Sequence, residues 1–342
     1  MTADDTPPRP EREAGPDGDE AARAPGQAGA WLDFDRTLQR IASSAARGAG
    51  AAPPTVLLTG ESGTGKSRAA RRLHDLSSRA AGPFVPVHLA GLAETLLEAE
   101  LFGHEEGAFT GAARARDGRF VRASGGTVVL EAIETLALPL QVKLLRVLQE
   151  RVVEPLGASR PVPIDCAVVA TTAVDLRQEV AAGRFREDLY FRLAVVPLEV
   201  PPLRARSDDE DFAPLCDALV EAVAARASVP PRDISAGARE VLAAHPWPGN
   251  VRELENALER VLVVARQGPI EAEELGFLAE STRGRSHEIA LEALGAGVSL
   301  EALERALLEA ALAQTRGNAS AAARVLGLSR RAFDYRRKKL SE

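Results

Sequence analysis

Residues 60–67 read Gly-Glu-Ser-Gly-Thr-Gly-Lys-Ser, and this run constrains the chain more tightly than any other. A G-x-x-x-x-G-K-S pattern acts as a phosphate loop only with a strand before it and a helix after it. Residues 55–59 are short, apolar and β-branched, which predicts a buried strand. Residues 67–78 are rich in Ala, Arg and Leu and predict a helix. In that setting the glycines turn backbone N–H groups onto phosphate oxygens, and the helix N-terminus adds its positive end. Lys66 would reach the terminal phosphates and the Ser67 hydroxyl would ligate Mg²⁺. An ordinary glycine turn has no need of either flank. The expectation is a chain that binds ATP or GTP, with Gly60, Glu61, Ser62, Gly63, Thr64, Gly65, Lys66 and Ser67 around the phosphates.

A length of 342 residues allows two or three domains and an ample core. No apolar run approaches the roughly 18 residues of a membrane span, and the acidic, proline-rich start has no secretory apolar stretch. Cys166 and Cys216 lie far apart; Cys166 falls in the apolar run 164–170 and reads as a buried core thiol. A reduced, cytoplasmic protein fits best. The five histidines show no metal-ligand spacing. Charge is uneven. Residues 316–342 hold eight Lys/Arg against two Asp/Glu, and taking that +6 from the net −7 leaves the rest at −13. An acidic body with a basic tail places nucleic-acid contact at the tail.

Residues 1–30, with five prolines, four glycines and an excess of acids, read as a disordered tail without room for a sensory domain. A helix over 31–46 leads into the first strand. Strands are then expected over 84–88, 127–130 and 164–171, and helices over 93–101 and 139–150. Pro86 favours an edge strand or a strand end. Alternating strands and helices imply a parallel α/β sheet. Beyond Pro201-Pro202 the strands stop, and helices follow over 212–226, 235–245 and 251–266. Residues 279–298 read as a linker. A periodic helix over 300–315 precedes two short ones, 319–326 and 329–340, parted at Gly327 as a helix-turn-helix would be. Ser329 suits an N-cap, and Arg330, Arg331, Arg336, Arg337, Lys338 and Lys339 crowd the last helix.

Residues 100–112 read ELFGHEEGAFTGA. Taken bare, Phe109 sits among glycines and alanines, which suits a loop with an apolar tip or a hairpin with the ring tucked inward. Together with the GESGTGK loop, GAFTGA resembles the AAA+ domain of bacterial sigma-54-dependent transcriptional activators, and the resemblance runs from about Trp31 to Leu340. It implies an AAA+ P-loop α/β domain over 31–201, a helical lid over 202–278 and a Fis-like helix-turn-helix over 299–342. It further implies ATP and Mg²⁺ as cofactors, and a ring of this chain, dimer to hexamer. The same resemblance implies the sigma-54 RNA polymerase holoenzyme as partner, reached through Phe109 and Thr110, and enhancer DNA bound through Arg330, Arg331, Arg336 and Lys338. Residues 185–193 resemble the family's finger segment, which makes Arg186 and Arg192 cations offered to a neighbour's nucleotide. Pro246-Trp247-Pro248-Gly249-Asn250 reads as a helix start with Asn250 as N-cap. A cation in a first turn is unfavourable without an anion to meet; Arg252 matches the family's lid sensor of nucleotide.

The chain departs from the family at its centre. Where the family carries Asp-Glu at the end of the third strand, residues 131–132 are Glu-Ala. Glu131 still reaches Mg²⁺, but Ala132 has no group to accept a proton. Loss of a general base costs about 10²–10⁴ in rate, roughly 3–5 kcal/mol of barrier. His88 stands where the family holds an Asn, and Thr172 follows the sensor Thr171 where Asn is usual. In the last helix, Arg337 replaces a usual core leucine and Asp334 puts an acid on the DNA side. Two functions follow. One is an ATP-driven activator, with Glu131 or Glu134 standing in as base or with mixed rings of this chain and an intact homologue. The other is a hydrolysis-defective, ATP-binding, DNA-bound regulator. A motor or chaperone unrelated to transcription is disfavoured by the basic terminal helix.

Overall fold

A computed structural model of the chain describes residues 30–45, 53–109, 112, 114–158, 160–206, 209–264, 267–279, 291–315 and 317–339. The acidic tail expected over 1–30, apart from Ala30, and most of the expected linker lie outside the described residues. The backbone divides into two compact units, Met1–Ile270 and Glu271–Glu342.

The first unit begins with α1 (Ala30–Ala45), β1 (Val56–Thr59), α2 (Lys66–Leu76), β2 (Phe84–His88) and α3 (Glu94–Phe102). A short antiparallel pair, β3 (Gly103–His104) with β4 (Arg116–Asp117), carries the GAFTGA segment between its arms. Next come α4 (Arg119–Arg122), β5 (Thr127–Glu131) and α5 (Leu138–Glu150), then the small pair β6 (Val152–Val153) and β7 (Val162–Pro163). The α/β part closes with β8 (Ala167–Thr172), α6 (Leu176–Ala181), α7 (Glu187–Leu193) and β9 (Val196–Glu199). Three helices follow: α8 (Asp209–Ala227), α9 (Ala236–Ala244) and α10 (Asn250–Val263).

Five strands make one all-parallel sheet in the order β2-β5-β8-β1-β9. A strand sends successive side chains to opposite faces, and a parallel sheet is covered on both. On one face Leu57, Val87, Val128, Leu130, Val168 and Ala170 pack with Leu101, Phe120, Leu144 and Leu189 from the helices. On the other, Val56, Leu58, Val129 and Val169 pack with Phe34 and Leu38 of α1 and Ala69, Ala70 and Leu73 of α2. Proline cannot donate to a ladder, and both prolines of this sheet, Pro86 in β2 and Pro197 in β9, sit on edge strands. β9 and the two small pairs go beyond the sequence reading, and β8 starts at Ala167 rather than at 164. Cys166 is fully buried, and burial pushes its thiol up to about 11.

The second unit holds α11 (Leu300–Gln314), α12 (Ala319–Val325) and α13 (Arg330–Lys339). Phe333 is fully buried against Leu308, Ala311, Ala319, Ala322 and Ala323; these small residues let three helices close around one ring. Asn318 caps α12 through the Ser320 and Ala321 N–H groups, and the Ser329 hydroxyl accepts from the Ala332 N–H as expected of an N-cap. Among the described residues, no helix is long and apolar enough to cross a membrane.

Leu58 is fully buried beneath α1 and α2, whereas Leu96 on α3 is 48% exposed. Leu58→Ala is expected to lower unfolding free energy by about 2–5 kcal/mol, and Leu96→Ala by no more than about 0.5 kcal/mol. Urea denaturation checks this; equal losses would contradict the layering.

Candidate nucleotide-binding site

The C-terminal ends of β1, β2, β5 and β8 converge on a pocket of about 300 Å³, where open parallel sheets bind ligands. Its lining brings together Gly63, Lys66 and Ser67 of the loop, Glu131, Thr171 at the end of β8, and Arg252 of α10. Gly60, Gly63 and Gly65 all have positive φ, at 143°, 79° and 96°. A Cβ on Gly63 would lie 2.2 Å from the Gly249 carbonyl oxygen, so only glycine lets the loop lie this close to the start of α10. A Cβ on Gly65 would meet open space, with nothing beyond its own chain neighbours within 4 Å. Thr64 is buried and its hydroxyl donates to the Glu61 carbonyl at 3.0 Å.

Lys66 donates to the carbonyls of Gly60 at 2.7 Å and Glu61 at 2.8 Å. Burial holds its ammonium below the usual lysine value; the Glu134 carboxylate is the largest influence in the other direction. Ser67 Oγ donates to Glu131 Oε1 at 2.5 Å, and His88, registered beside Glu131 on the neighbouring strand, brings Nδ1 to 3.6 Å from Oε2. A hydroxyl and a carboxylate oxygen side by side form the hard-oxygen pair that Mg²⁺ takes alongside phosphate and water; Ser67 and Glu131 fit that ion. The Ala132 N–H points to Thr171 Oγ1 at 3.4 Å, and Thr172, fully buried, exchanges its hydroxyl with the Val174 backbone.

Asn250 is not the N-cap the sequence suggested. Gly249 takes that position, and Asn250, at φ 55°, is the first helical residue, in a left-handed conformation that Asn tolerates well. Its fully buried amide accepts from the Leu203 N–H at 2.8 Å and donates to Glu61 Oε2 at 3.1 Å and the Ser62 carbonyl at 3.0 Å. Arg252 Nη1 donates to Ser62 Oγ at 3.0 Å. Two further arginines complete the support, and both follow the Pro-Pro that sequence reading treated as a boundary. Arg204 pairs with Glu61 at 2.8 Å, and buried Arg206 donates to the Thr64 carbonyl at 2.9 Å with its guanidinium over the Trp31 ring. The only sequence signal was two arginines spaced by one residue.

The remaining expected residues lie apart from the pocket. Arg186 is bound by both oxygens of Asp188, at 3.0 and 2.7 Å, and Arg192 donates to the Leu148 carbonyl at 2.7 and 3.2 Å. Phe109 is half-buried, edge-on to His104 with ring centroids 5.1 Å apart, so the ring is turned inward. Thr110 lies outside the described residues. In the second unit, Arg330 is bound to Asp334 at 2.7 Å and to Ser320 at 3.1 Å, and Arg336 to Glu304 at 2.7 Å. Arg331, Arg337 and Lys338 are exposed.

A five-stranded parallel sheet with a glycine-lysine loop at its mouth, trailing helices against that loop and a second unit with three helices packed around Phe333 define an AAA+ P-loop protein with a helix-turn-helix. Residues 33–199 match the sigma-54 interaction domain, 204–291 the AAA+ ATPase lid domain and 299–340 the bacterial regulatory protein, Fis family. The chain belongs to the sigma-54-dependent transcriptional regulators. It is 43% identical over 321 residues to the sigma54-dependent transcriptional regulator SfnR of Pseudomonas fluorescens, covering 89% of this chain and 85% of SfnR. Against the C4-dicarboxylate transport transcriptional regulatory protein DctD of Pseudomonas aeruginosa it is 46% identical over 276 residues, 81% of this chain but 57% of DctD. NtrX from Brucella abortus, solved with ADP, superposes with a TM-score of 0.65 at 33% identity, covering 94% of this chain and 70% of NtrX.

The Arg204 hydrogen bond holds the Glu61 carboxyl down at about 2, below its ordinary 4.5. A depressed carboxylate adds stability above its unfolded value and loses it as pH falls toward the folded one. The Glu61 contribution is therefore present above 4.5 and fades between 4.5 and about 2. Glu61→Gln should flatten the fall of melting temperature across that window; parallel curves for parent and variant would contradict the pairing.

Proposed function

We propose that the chain binds Mg-ATP in this pocket, assembles with itself from dimer to hexamer ring, and regulates sigma-54 promoters. In this reading Phe109 and Thr110 meet sigma-54, and the helix-turn-helix holds enhancer DNA. The carrying observation is the open glycine cradle flanked by the Lys66 ammonium, the Ser67–Glu131 oxygen pair and the Arg252 guanidinium. The cations meet phosphate charge, Ser67 and Glu131 hold Mg²⁺, and backbone N–H groups at the start of α2 add donors for phosphate oxygens. NtrX, solved in complexes with ADP and with ATP, supports the nucleotide.

Arg252 already bonds the loop through Ser62, so a change in phosphate charge there is transmitted to α10 directly. Arg186 and Arg192 are held by Asp188 and Leu148 of their own chain, and a neighbouring subunit's phosphate would compete for them. Arg330 and Arg336 are likewise held in exposed ion pairs worth about 0–1 kcal/mol, which a DNA phosphate displaces readily. Arg331 and Lys338 need no such exchange.

One observation favours a second reading: Ala132 carries no proton acceptor. A chain that binds ATP without hydrolysing it would act as a DNA-bound partner of an intact homologue, in mixed rings.

The test is capture of sigma-54 by the full chain with Mg²⁺ and ADP–aluminium fluoride. Nucleotide-dependent capture that drops at least tenfold in Phe109→Ala is expected. Capture that ignores both nucleotide and Phe109 would overturn the reading.

A further inference from the structure

Three carboxylates line the pocket: Glu131, Glu134 and Glu255. Their partners sort them. Glu131 accepts from Ser67 through one oxygen, has His88 Nδ1 at 3.6 Å from the other, and in the reading above is the Mg²⁺ ligand. Glu255 is in an ion pair with Arg226 at 2.7 Å. Glu134 has one oxygen held, since Oε1 accepts from the Ala173 N–H at 3.2 Å; its Oε2 is buried and has no hydrogen-bond partner among the described residues. A buried carboxylate oxygen left without a donor is costly. It persists here in a pocket where a water would supply the missing hydrogen bond.

The backbone explains how a side chain three residues past Glu131 returns to the sheet edge. β5 ends at Glu131, and Ala132 is left-handed at φ 59° and ψ 53°. A single turn of 3₁₀ helix, Ile133–Thr135, follows. Ile133 is fully buried, and the Thr135 hydroxyl donates to the Ala132 carbonyl at 2.8 Å, so the turn is pinned on both sides. A left-handed non-glycine residue is unfavourable, and such strain persists where its surroundings fix it. The Ala173 N–H, just beyond the end of β8, then fixes the Glu134 carboxylate in orientation. Glu134 and Lys66 line the same pocket, and among the carboxylates around Lys66, Glu134 acts most strongly on its ammonium, ahead of Glu131 and Glu61.

We infer that Glu134 is the catalytic base of this chain, activating the water that attacks the terminal phosphate. The inference rests on the Mg-ATP reading above and deepens it. Glu134 Oε2 orients the water and takes one of its protons. The water oxygen bonds to the terminal phosphorus, the bond from that phosphorus to the bridging oxygen breaks, and its electron pair leaves with the diphosphate. The proton on Glu134 then passes to the released phosphate. Nothing is oxidised or reduced. Position 132, freed of the proton-accepting task, holds only the backbone kink that aims Glu134.

The test compares the full chain with Glu134→Gln and Glu134→Asp, each with Mg²⁺, over a range of protein concentrations that includes assembly. Three quantities are read: affinity for a fluorescent ATP analogue, affinity for ADP with aluminium fluoride relative to ADP alone, and steady-state ATP turnover. The parent should turn ATP over. Glu134→Gln should keep ATP and ADP affinity within about threefold, lose about 10² or more in turnover, and lose at least tenfold of the fluoride-dependent affinity. Glu134→Asp, one methylene short, should keep binding and also lose turnover. Turnover and fluoride affinity unchanged in Glu134→Gln would overturn the inference. A parent that binds ATP but never turns it over would overturn it too, leaving the binding reading intact. A parent that binds no nucleotide would overturn both.

Discussion

The junction between the glycine loop and the start of α10 is the constraint on which the rest of the site depends. Gly63 has no room for a side chain against the Gly249 carbonyl, and Asn250 threads its buried amide between the loop and the Leu203 backbone. Each of the three hydrogen bonds of Asn250 is modest, about 0.5–1.5 kcal/mol net, but an unmade one in a buried site costs about 1–3 kcal/mol. The loop therefore cannot shift alone: movement at Ser62 or Glu61 leaves a buried polar group unpaired on the helical side. That is the physical form of coupling between phosphate charge and the helices after β9.

Electrostatics within the pocket follow a division of labour. Oxygens of Ser67 and Glu131 sit together for a hard cation, and Lys66 and Arg252 present positive charge. Glu134 keeps one oxygen unspent. Because β2 and β5 are in register at His88 and Glu131, the histidine that replaces the family's asparagine lands beside the carboxylate that replaces its aspartate. The substitutions at 88, 131 and 132 thus line one pocket, together with Glu134.

Much of this was legible in the sequence because the strong signals are local. The loop, the apolar runs of β1, β5 and β8 and the edge position of Pro86 follow from composition and short-range sterics. β9 was missed because Val196-Pro197-Leu198-Glu199 is four residues with a proline inside. Asn250 was read as a cap because Pro-Gly-Asn before a helical stretch is a capping pattern; its true partners are nearly 190 residues away at Glu61 and Ser62. Arg204 and Arg206 gave no periodic signal, since their roles are set by carbonyls and a carboxylate on another segment. Glu134 could be named from sequence only as one of two candidates. Which carboxylate keeps an oxygen unspent depends on partners from β2, α2 and the end of β8, and no local pattern carries that.

The central claim is that the glycine loop seats nucleotide phosphate through Lys66. Calorimetric titration of Mg-ATP into the full chain and into Lys66→Ala tests it most directly. Loss of a charge-assisted hydrogen bond worth about 1.5–3 kcal/mol should weaken binding about tenfold or more. Equal affinity in parent and variant would contradict the account.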